Sequence, residues 1–280
     1  MPRAEITIGD AILGNDRPLM IFGGMNVLES KELALEVAET FKAVCEALEL
    51  PLVFKASFDK ANRSSISSFR GPGLETGLDW LGQIREKTGL PVITDVHEPA
   101  QAAPTAEVCD VLQLPAFLSR QTDLVRALAE TGKPVNVKKA QFLAAPEMRH
   151  IIRKFEDCGN DRVILCERGT MFGYNNLVVD MLNFGIMKRL GCPVIFDVTH
   201  ALQLPGAGED AAGGRGFATR ELGTAGISQR IAGLFIEAHP DPANALCDGP
   251  SAVALANLHD LLASFSFIDH LVKREAQDRA

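Results

Sequence analysis

Apolar residues along this chain fall into short runs separated by longer stretches of helical spacing. Three runs share one grammar: Gly89-Leu-Pro-Val-Ile-Thr-Asp-Val-His97, Gly132-Lys-Pro-Val-Asn-Val-Lys-Lys139 and Gly191-Cys-Pro-Val-Ile-Phe-Asp-Val-Thr-His200. Each opens on a glycine suited to end a helix. A proline follows, tolerated at the first residue of a strand. A β-prone run comes next and closes on ionisable residues. Leu50-Pro-Leu-Val-Phe-Lys55 is a related form. Such runs predict strands buried on both faces, with polar chemistry at their C-terminal ends.

Counting these runs gives eight strands, near 19–25, 52–57, 91–96, 111–115, 134–138, 162–167, 193–198 and 233–237. Helical patterns lie between them. Leu33, Val37, Phe41, Val44 and Leu48 recur at helical spacing behind Ser30, an N-cap candidate. Leu124, Val125 and Leu128 mark another helix, closed by Gly132 and Pro134. Met148, Ile151, Ile152 and Phe155 mark a third, with Pro146 near its start. Pro99 and Pro104 leave the helix after the third strand short, and the last helix is expected within 251–272. Eight strand–helix units fit an α/β fold of the (β/α)8 TIM-barrel type. An open doubly wound sheet is the alternative, but no Gly-x-Gly-x-x-Gly follows the first strand. Residues 5–14 alternate around Gly9-Asp10, which predicts a short N-terminal β-hairpin covering the barrel's N-terminal mouth. No linker divides residues 1–280, so one domain is expected.

Length and composition agree with this reading. The chain has 280 residues, 46% of them hydrophobic, enough for a large core and too many for a disordered chain. The 28 basic residues against 36 acidic ones leave a net charge of −8, which argues against a nucleic-acid or anionic-membrane binder. No run approaches 18 apolar residues, and no signal-peptide core opens the chain, so a cytoplasmic protein is expected. Six scattered cysteines without a Cys-x-x-Cys read as reduced thiols.

Active sites of this barrel class form at the C-terminal ends of the strands. There the sequence sets Asn26, Lys55, Ser57, Lys60, Asn62, Arg63, Asp95, His97, Lys138, Lys139, Glu167, Arg168, Asp197, His200, Glu237 and Asp248. Lys55, Lys60, Arg63, Lys138 and Arg168 would converge on one mouth of an acidic protein. Converging cations favour a bound anion, and arginine forks suit phosphates and carboxylates. The plainer explanation is pairing with nearby acids. Lys138 fits an electrostatic clamp better than a Schiff-base nucleophile, given the other cations. His200, Glu237 and Asp248 form a possible metal set without tight spacing. The glycine-rich Pro205–Gly216 segment after strand 7 reads as a mobile lid rather than a plain surface loop, and nothing in the sequence shows whether its Arg215 reaches the pocket.

Taken together, several motifs resemble one family. They include Phe22-Gly-Gly-Met-Asn-Val-Leu-Glu-Ser30, Lys55-Ala-Ser-Phe-Asp-Lys-Ala-Asn-Arg-Ser-Ser65 and Gln113-Leu-Pro-Ala-Phe-Leu-Ser-Arg120. Val135-Asn-Val-Lys-Lys139, Glu167-Arg-Gly-Thr-Met-Phe-Gly-Tyr174, Phe196-Asp-Val-Thr-His200, Ile236-Glu-Ala-His239 and Cys247-Asp-Gly-Pro-Ser-Ala252 extend the likeness in order. The sequence is similar to the 3-deoxy-D-manno-octulosonate 8-phosphate synthases. The resemblance implies a homotetrameric, cytosolic (β/α)8 enzyme that condenses phosphoenolpyruvate with D-arabinose 5-phosphate and water for lipopolysaccharide synthesis. It also implies residue roles. Lys60, Lys138, Arg168 and the backbone at Ala116 would hold phosphoenolpyruvate, with Lys55 and Ser57 at its carboxylate and His200 beside its C2. Asn62, Arg63 and Ser64 would hold the sugar phosphate, and Asp95 the sugar hydroxyls. Arg120 would reach the sugar phosphate of a neighbouring subunit, and Asn26 would orient the aldehyde, with Asp248 in the same catalytic set.

The family divides on metal use. Metal-dependent members carry a cysteine at the position of Asn26, and a neutral amide is a poor substitute for a thiolate. No required metal or other cofactor is therefore expected. Two other functions are weighed against this one. A related synthase takes erythrose 4-phosphate and typically reads Lys-Pro-Arg-Thr where this chain has Lys60-Ala-Asn-Arg63. A non-catalytic phosphosugar-binding barrel would keep the phosphate grips but lose groups such as His200, Asn26 or Asp248.

Overall fold

The computed structural model describes residues 1–63, 65–206 and 213–277. The chain opens with an antiparallel hairpin, β1 (Glu5–Ile8) and β2 (Ala11–Gly14), with Ile8 opposite Ala11. Gly9 turns the chain at φ +56°, where a side chain would be strained. Ile6, Ile8 and Leu13 pack with Met20, Val53, Val111, Ile164 and Ile195, which stand near the starts of the barrel strands. The hairpin therefore covers the N-terminal mouth, as its alternation predicts.

Six barrel strands follow: β3 (Met20–Val27), β4 (Leu52–Ser57), β5 (Val92–Asp95), β6 (Val111–Leu114), β7 (Val135–Lys138) and β8 (Val163–Glu167). A small antiparallel pair, β9 (Thr170–Met171) and β10 (Leu177–Val178), projects after β8. The seventh barrel strand is β11 (Val194–Asp197). A second small pair, β12 (Gln203–Leu204) and β13 (Gly213–Gly214), follows it. The eighth barrel strand is β14 (Gly233–His239), and β15 (Val253–Ala254) pairs beside its end. Each barrel strand pairs in parallel with the next, and β14 returns to β3 with Phe235 opposite Phe22. All eight predicted strands are present, and the sheet is closed rather than open.

Helices α1 (Lys31–Ala47), α2 (Leu74–Thr88), α3 (Ala102–Val108), α4 (Thr122–Glu130), α5 (Met148–Asp157) and α6 (Leu182–Lys188) follow the first six barrel strands. α7 (Val198–Ala201) is a single turn at the end of β11, and α8 (Thr219–Ile227) and α9 (Leu258–Gln277) complete the outer ring. Ser30 caps α1 as predicted, its Oγ accepting from the Leu33 amide at 3.1 Å. The buried face of α1 carries Ala34, Val37, Ala38, Phe41 and Cys45. α3 is seven residues long behind a 3-10 turn at Pro99–Gln101. α9 extends to Gln277, past the expected end at 272. Its charged last turns are tied down. Asp269 accepts from the Leu19 amide at 3.0 Å, and Lys273 donates to the Arg17 carbonyl at 2.6 Å.

Two apolar layers result. One fills the barrel floor, and the larger one lies between strands and helices. At the upper rim, Gly24 lets β3 approach β4. A Cβ there would sit 2.0 Å from the Lys55 carbonyl oxygen. The β3–β4 register shifts between Gly24 and Val27, the stretch that carries Asn26.

Candidate active site

The C-terminal strand ends surround a cavity of about 240 Å³. Its wall includes Lys60, Asn62, Arg63, Asp95, Ala116, Lys138, Arg168, His200 and Asp248, drawn from every quarter of the barrel. These nine are residues that the sequence singles out. Lys55, Ser57 and Asn26 stand behind the wall, buried at the ends of β3 and β4. Arg120 is exposed and outside this cavity. Ser64 lies outside the described residues, as do residues 207–212 of the expected lid.

Strand alternation explains the division of labour at β7. Lys138 lines the cavity, whereas Lys139 does not. Lys139 is fully buried 3.4 Å from Glu167, and also contacts the Gly169 carbonyl at 3.2 Å. Glu167 in turn accepts from the backbone amides of Arg168 (2.9 Å) and Gly169 (2.7 Å), which fixes the turn presenting Arg168.

The cations do not stand alone. Lys55, 1% exposed, pairs with Glu237 at 2.5 Å. Lys138 pairs with Asp197 at 2.5 Å and stands 3.1 Å above the centre of the Phe235 ring. Arg63 contacts the Cys247 thiol. Asp95 and Glu237 are among the groups that act on Lys60. Five cations are thus interleaved with Asp95, Asp197, Glu237 and Asp248, which leaves a local excess of one positive charge. Both explanations of the basic set are partly right: four of the five line an anion-sized cavity, and acids already balance most of the set.

This arrangement sets the protonation states. Burial opposes charge on Glu237, but His200, Lys55 and Lys60 outweigh it and hold the carboxyl down at about 2. Asp197 is likewise held far below the usual range, against burial, by His200, Lys138 and Arg168. Burial works against the Lys60 ammonium too, yet Asp95 and Glu237 raise it above its ordinary value. Asp95 is lowered, against burial, by Lys60 and His97, whose Nε2 is 3.2 Å from its carboxylate. Burial lowers Arg168 and pushes the Cys247 thiol up to about 12. The carboxylates of Glu237, Asp197 and Asp95 therefore stay ionised at neutral pH, and Cys247 stays a thiol.

His200 is aimed by its own helix turn. Asp197 caps α7 by accepting from the His200 amide at 2.9 Å, and His200 Nδ1 lies 2.8 Å from the same carboxylate. Nε2 lies 3.7 Å from Glu237. Asn26 donates through Nδ2 to Glu237 (2.7 Å) and Asp248 (3.1 Å). Its Oδ1 is buried without a hydrogen-bond partner among the described residues. Gln113, Gln141 and Gln203 also line the cavity. Gln203 was not a candidate in the sequence, because glutamine carries no charge or motif signal of its own. Its nearest signal is its place three residues after His200.

Among the described residues, no cluster of three or more His, Cys, Asp or Glu side chains has ligand geometry. The donor at position 26 is an amide nitrogen directed at two carboxylates, which suits hydrogen bonding and not coordination.

Comparison with known proteins accords with this geometry. The model of the DAHP synthetase I family matches residues 3–273. A 2-dehydro-3-deoxyphosphooctonate aldolase of Marinobacter nauticus is 63% identical over 273 residues, 98% of this chain and 97% of the relative. The protein of that name from Azotobacter vinelandii is 63% identical, with 98% of each chain covered. The one from Pseudomonas fluorescens is 60% identical over 98% of this chain and 97% of its own. A 2-dehydro-3-deoxyoctonate is a 3-deoxyoctulosonate, so these names and the family resembled by the motifs denote one compound class. The chain belongs to the DAHP synthetase I family, among its 3-deoxy-D-manno-octulosonate 8-phosphate synthases.

Proposed function

We propose that this protein condenses phosphoenolpyruvate with D-arabinose 5-phosphate and water, releasing inorganic phosphate and the eight-carbon 3-deoxy-2-keto acid phosphate. The observation that carries the reading is the cavity itself. Lys60, Arg63, Lys138 and Arg168 share one wall with His200 and Asp95, and the near-full-length relatives carry the name of this product.

The roles are those that the family resemblance implies. Lys60, Lys138 and Arg168 clamp phosphoenolpyruvate, with the Ala116 amide at its phosphate. Lys55 and Ser57 stand at the carboxylate side, and Asn62, Arg63 and Ser64 take the sugar phosphate. Two polyanions entering a cavity with one excess positive charge must be held together by directed bonds as well as charge. C3 of phosphoenolpyruvate attacks the aldehyde carbon, forming the new C–C bond as the aldehyde becomes an alkoxide. Water adds at C2, and one of its protons passes to the alkoxide. The resulting phosphohemiketal collapses. Its C2–O bond to phosphate breaks, and the C2 hydroxyl proton leaves with the phosphate. His200, whose Nδ1 lies 2.8 Å from Asp197, or a phosphate oxygen carries the proton of the attacking water in this scheme.

No metal step is included. The reading is supported by Asn26, whose amide already bonds Glu237 and Asp248. The protein is further proposed to act as a cytoplasmic homotetramer. Phosphate release in excess EDTA, with arabinose 5-phosphate compared against erythrose 4-phosphate and the product identified by mass, tests the whole reading. Release with the five-carbon sugar alone is the expected result. Preference for erythrose 4-phosphate, or activity that appears only when a divalent ion is restored, would overturn the substrate or the metal assignment.

A further inference from the structure

Gln203 occupies a position that the reaction scheme above does not use. It lies on β12, just beyond the turn that carries His200, and it lines the cavity. Its Oε1 accepts from Arg168 Nη2 at 2.9 Å. Its Nε2 donates to Asp248 Oδ2 at 2.8 Å. That same carboxylate oxygen accepts from Asn26. Among the described residues, no other side chain bonds both Arg168 and Asp248. The bridge also fixes which way the glutamine amide faces, because only its oxygen can accept and only its nitrogen can donate.

Arg168 is 6% exposed, and its Nη1 is buried without a partner among the described residues. A buried guanidinium beside a carboxylate normally forms a two-pronged ion pair with it. Here a neutral amide stands between Arg168 and Asp248 instead. The consequence is specific. Arg168 keeps its Nη1 without a partner among the described residues and its Nη2 on an uncharged acceptor, which an arriving phosphate displaces at small cost. Asp248 stays on Asn26 and Gln203 rather than collapsing onto the cation.

We propose that Gln203 is a positioning residue for the phosphate grip: it separates Arg168 from Asp248 and keeps Arg168 available to the phosphate of phosphoenolpyruvate. The inference rests on the proposed function for the identity of the substrate, but not for the need to bind phosphate. A carboxylate at position 203 would pair with Arg168, compete with the ligand and repel Asp248. An alanine would leave Arg168 free to turn onto Asp248.

The test compares wild type, Gln203→Glu, Gln203→Ala and the near-isosteric Gln203→Met, each by steady-state kinetics and by calorimetric titration with inorganic phosphate. Gln203→Glu is expected to raise KM for phosphoenolpyruvate about tenfold or more, a larger change than its fall in kcat, and to weaken phosphate binding in parallel. Its defect should shrink as pH falls towards 5, where a glutamate begins to protonate. Gln203→Ala and Gln203→Met should show the same split at smaller size, without that pH dependence. KM for the sugar phosphate should move less than KM for phosphoenolpyruvate in all three. Unchanged phosphate affinity in Gln203→Glu, or an equal loss in kcat and both KM values, would overturn the proposal. Should wild type turn over neither sugar, the proposed function falls, while phosphate titration of wild type against Gln203→Glu still decides the role of Gln203.

Discussion

Glu237 shows how one residue's environment becomes a property of the protein. Its carboxylate is 3% exposed and bonded to Lys55 and Asn26. The group is held at about 2 in the fold, against 4.5 for a free glutamate. A carboxyl lowered by folding adds stability above its unfolded value, and that stability disappears as pH falls through the folded value. The window is therefore pH 4.5 down to about 2, and the gain above it is of the order of 3 kcal/mol. Urea unfolding should show a falling midpoint across this window. Glu237→Gln should flatten that fall and also lower stability at pH 7 by about 3–5 kcal/mol, because Lys55 is left buried without its partner. A wild-type midpoint that does not move between pH 5 and 2.5 would refute this account. The charge types of this site are written in the sequence, and eleven of the residues named from it line the cavity. The pairings are not written there. Lys55 meets Glu237 across 182 positions and Lys138 meets Asp197 across 59, distances that no local pattern encodes.

Among the elements, the β3–β4 edge carries the tightest constraint. Its Gly24 is needed because the Lys55 carbonyl fills the place of a Cβ. Gly24→Ala must push the two strands apart, and they hold Asn26 and Lys55. The expected outcome is a loss of thermal stability together with a drop in kcat larger than that of an equally destabilising change far from the rim, such as Ile8→Ala in the hairpin. Ile8 is 3% exposed, and its truncation should cost about 3 kcal/mol without selective loss of activity. Circular dichroism melts with kinetics on both variants decide this. An active Gly24→Ala of wild-type stability would exclude the close approach. Strands and capped helices were legible because each rests on local rules: the Gly-x-Pro openings, the Ser30 cap, the apolar stripe of α1. The end of α9 was not, since the partners of Asp269 and Lys273, the Leu19 amide and the Arg17 carbonyl, lie 250 and 256 positions away in the chain.

For the whole molecule, Arg120 poses the question of assembly. It is exposed and does not reach the cavity of its own chain. Phe117, three residues before it, lines that cavity yet is 52% exposed. If Arg120 serves a neighbour, Arg120→Ala and Lys138→Met carry defects on different subunits of a shared site. Co-refolding the two weakly active variants should restore activity above the sum of each alone, through sites that draw Arg120 from one chain and Lys138 from another. No gain on mixing, with hybrid oligomers shown by mass, would place Arg120 outside the site.

The sequence alone determined the strand count, the barrel class, the hairpin, the rim on which polar residues gather and the family to which the chain belongs. These rest on period, local turn chemistry and motif order, all of which are properties of neighbouring residues. Only the tertiary structure decided that acids interleave the five cations, that Asn26 gives its amide to Glu237 and Asp248, and that Gln203 bridges Arg168 to Asp248. Those are contacts between strand ends far apart in the chain. Barrel closure brings them together, and burial then makes each pairing matter, since a charge removed from water must find its partner within the fold.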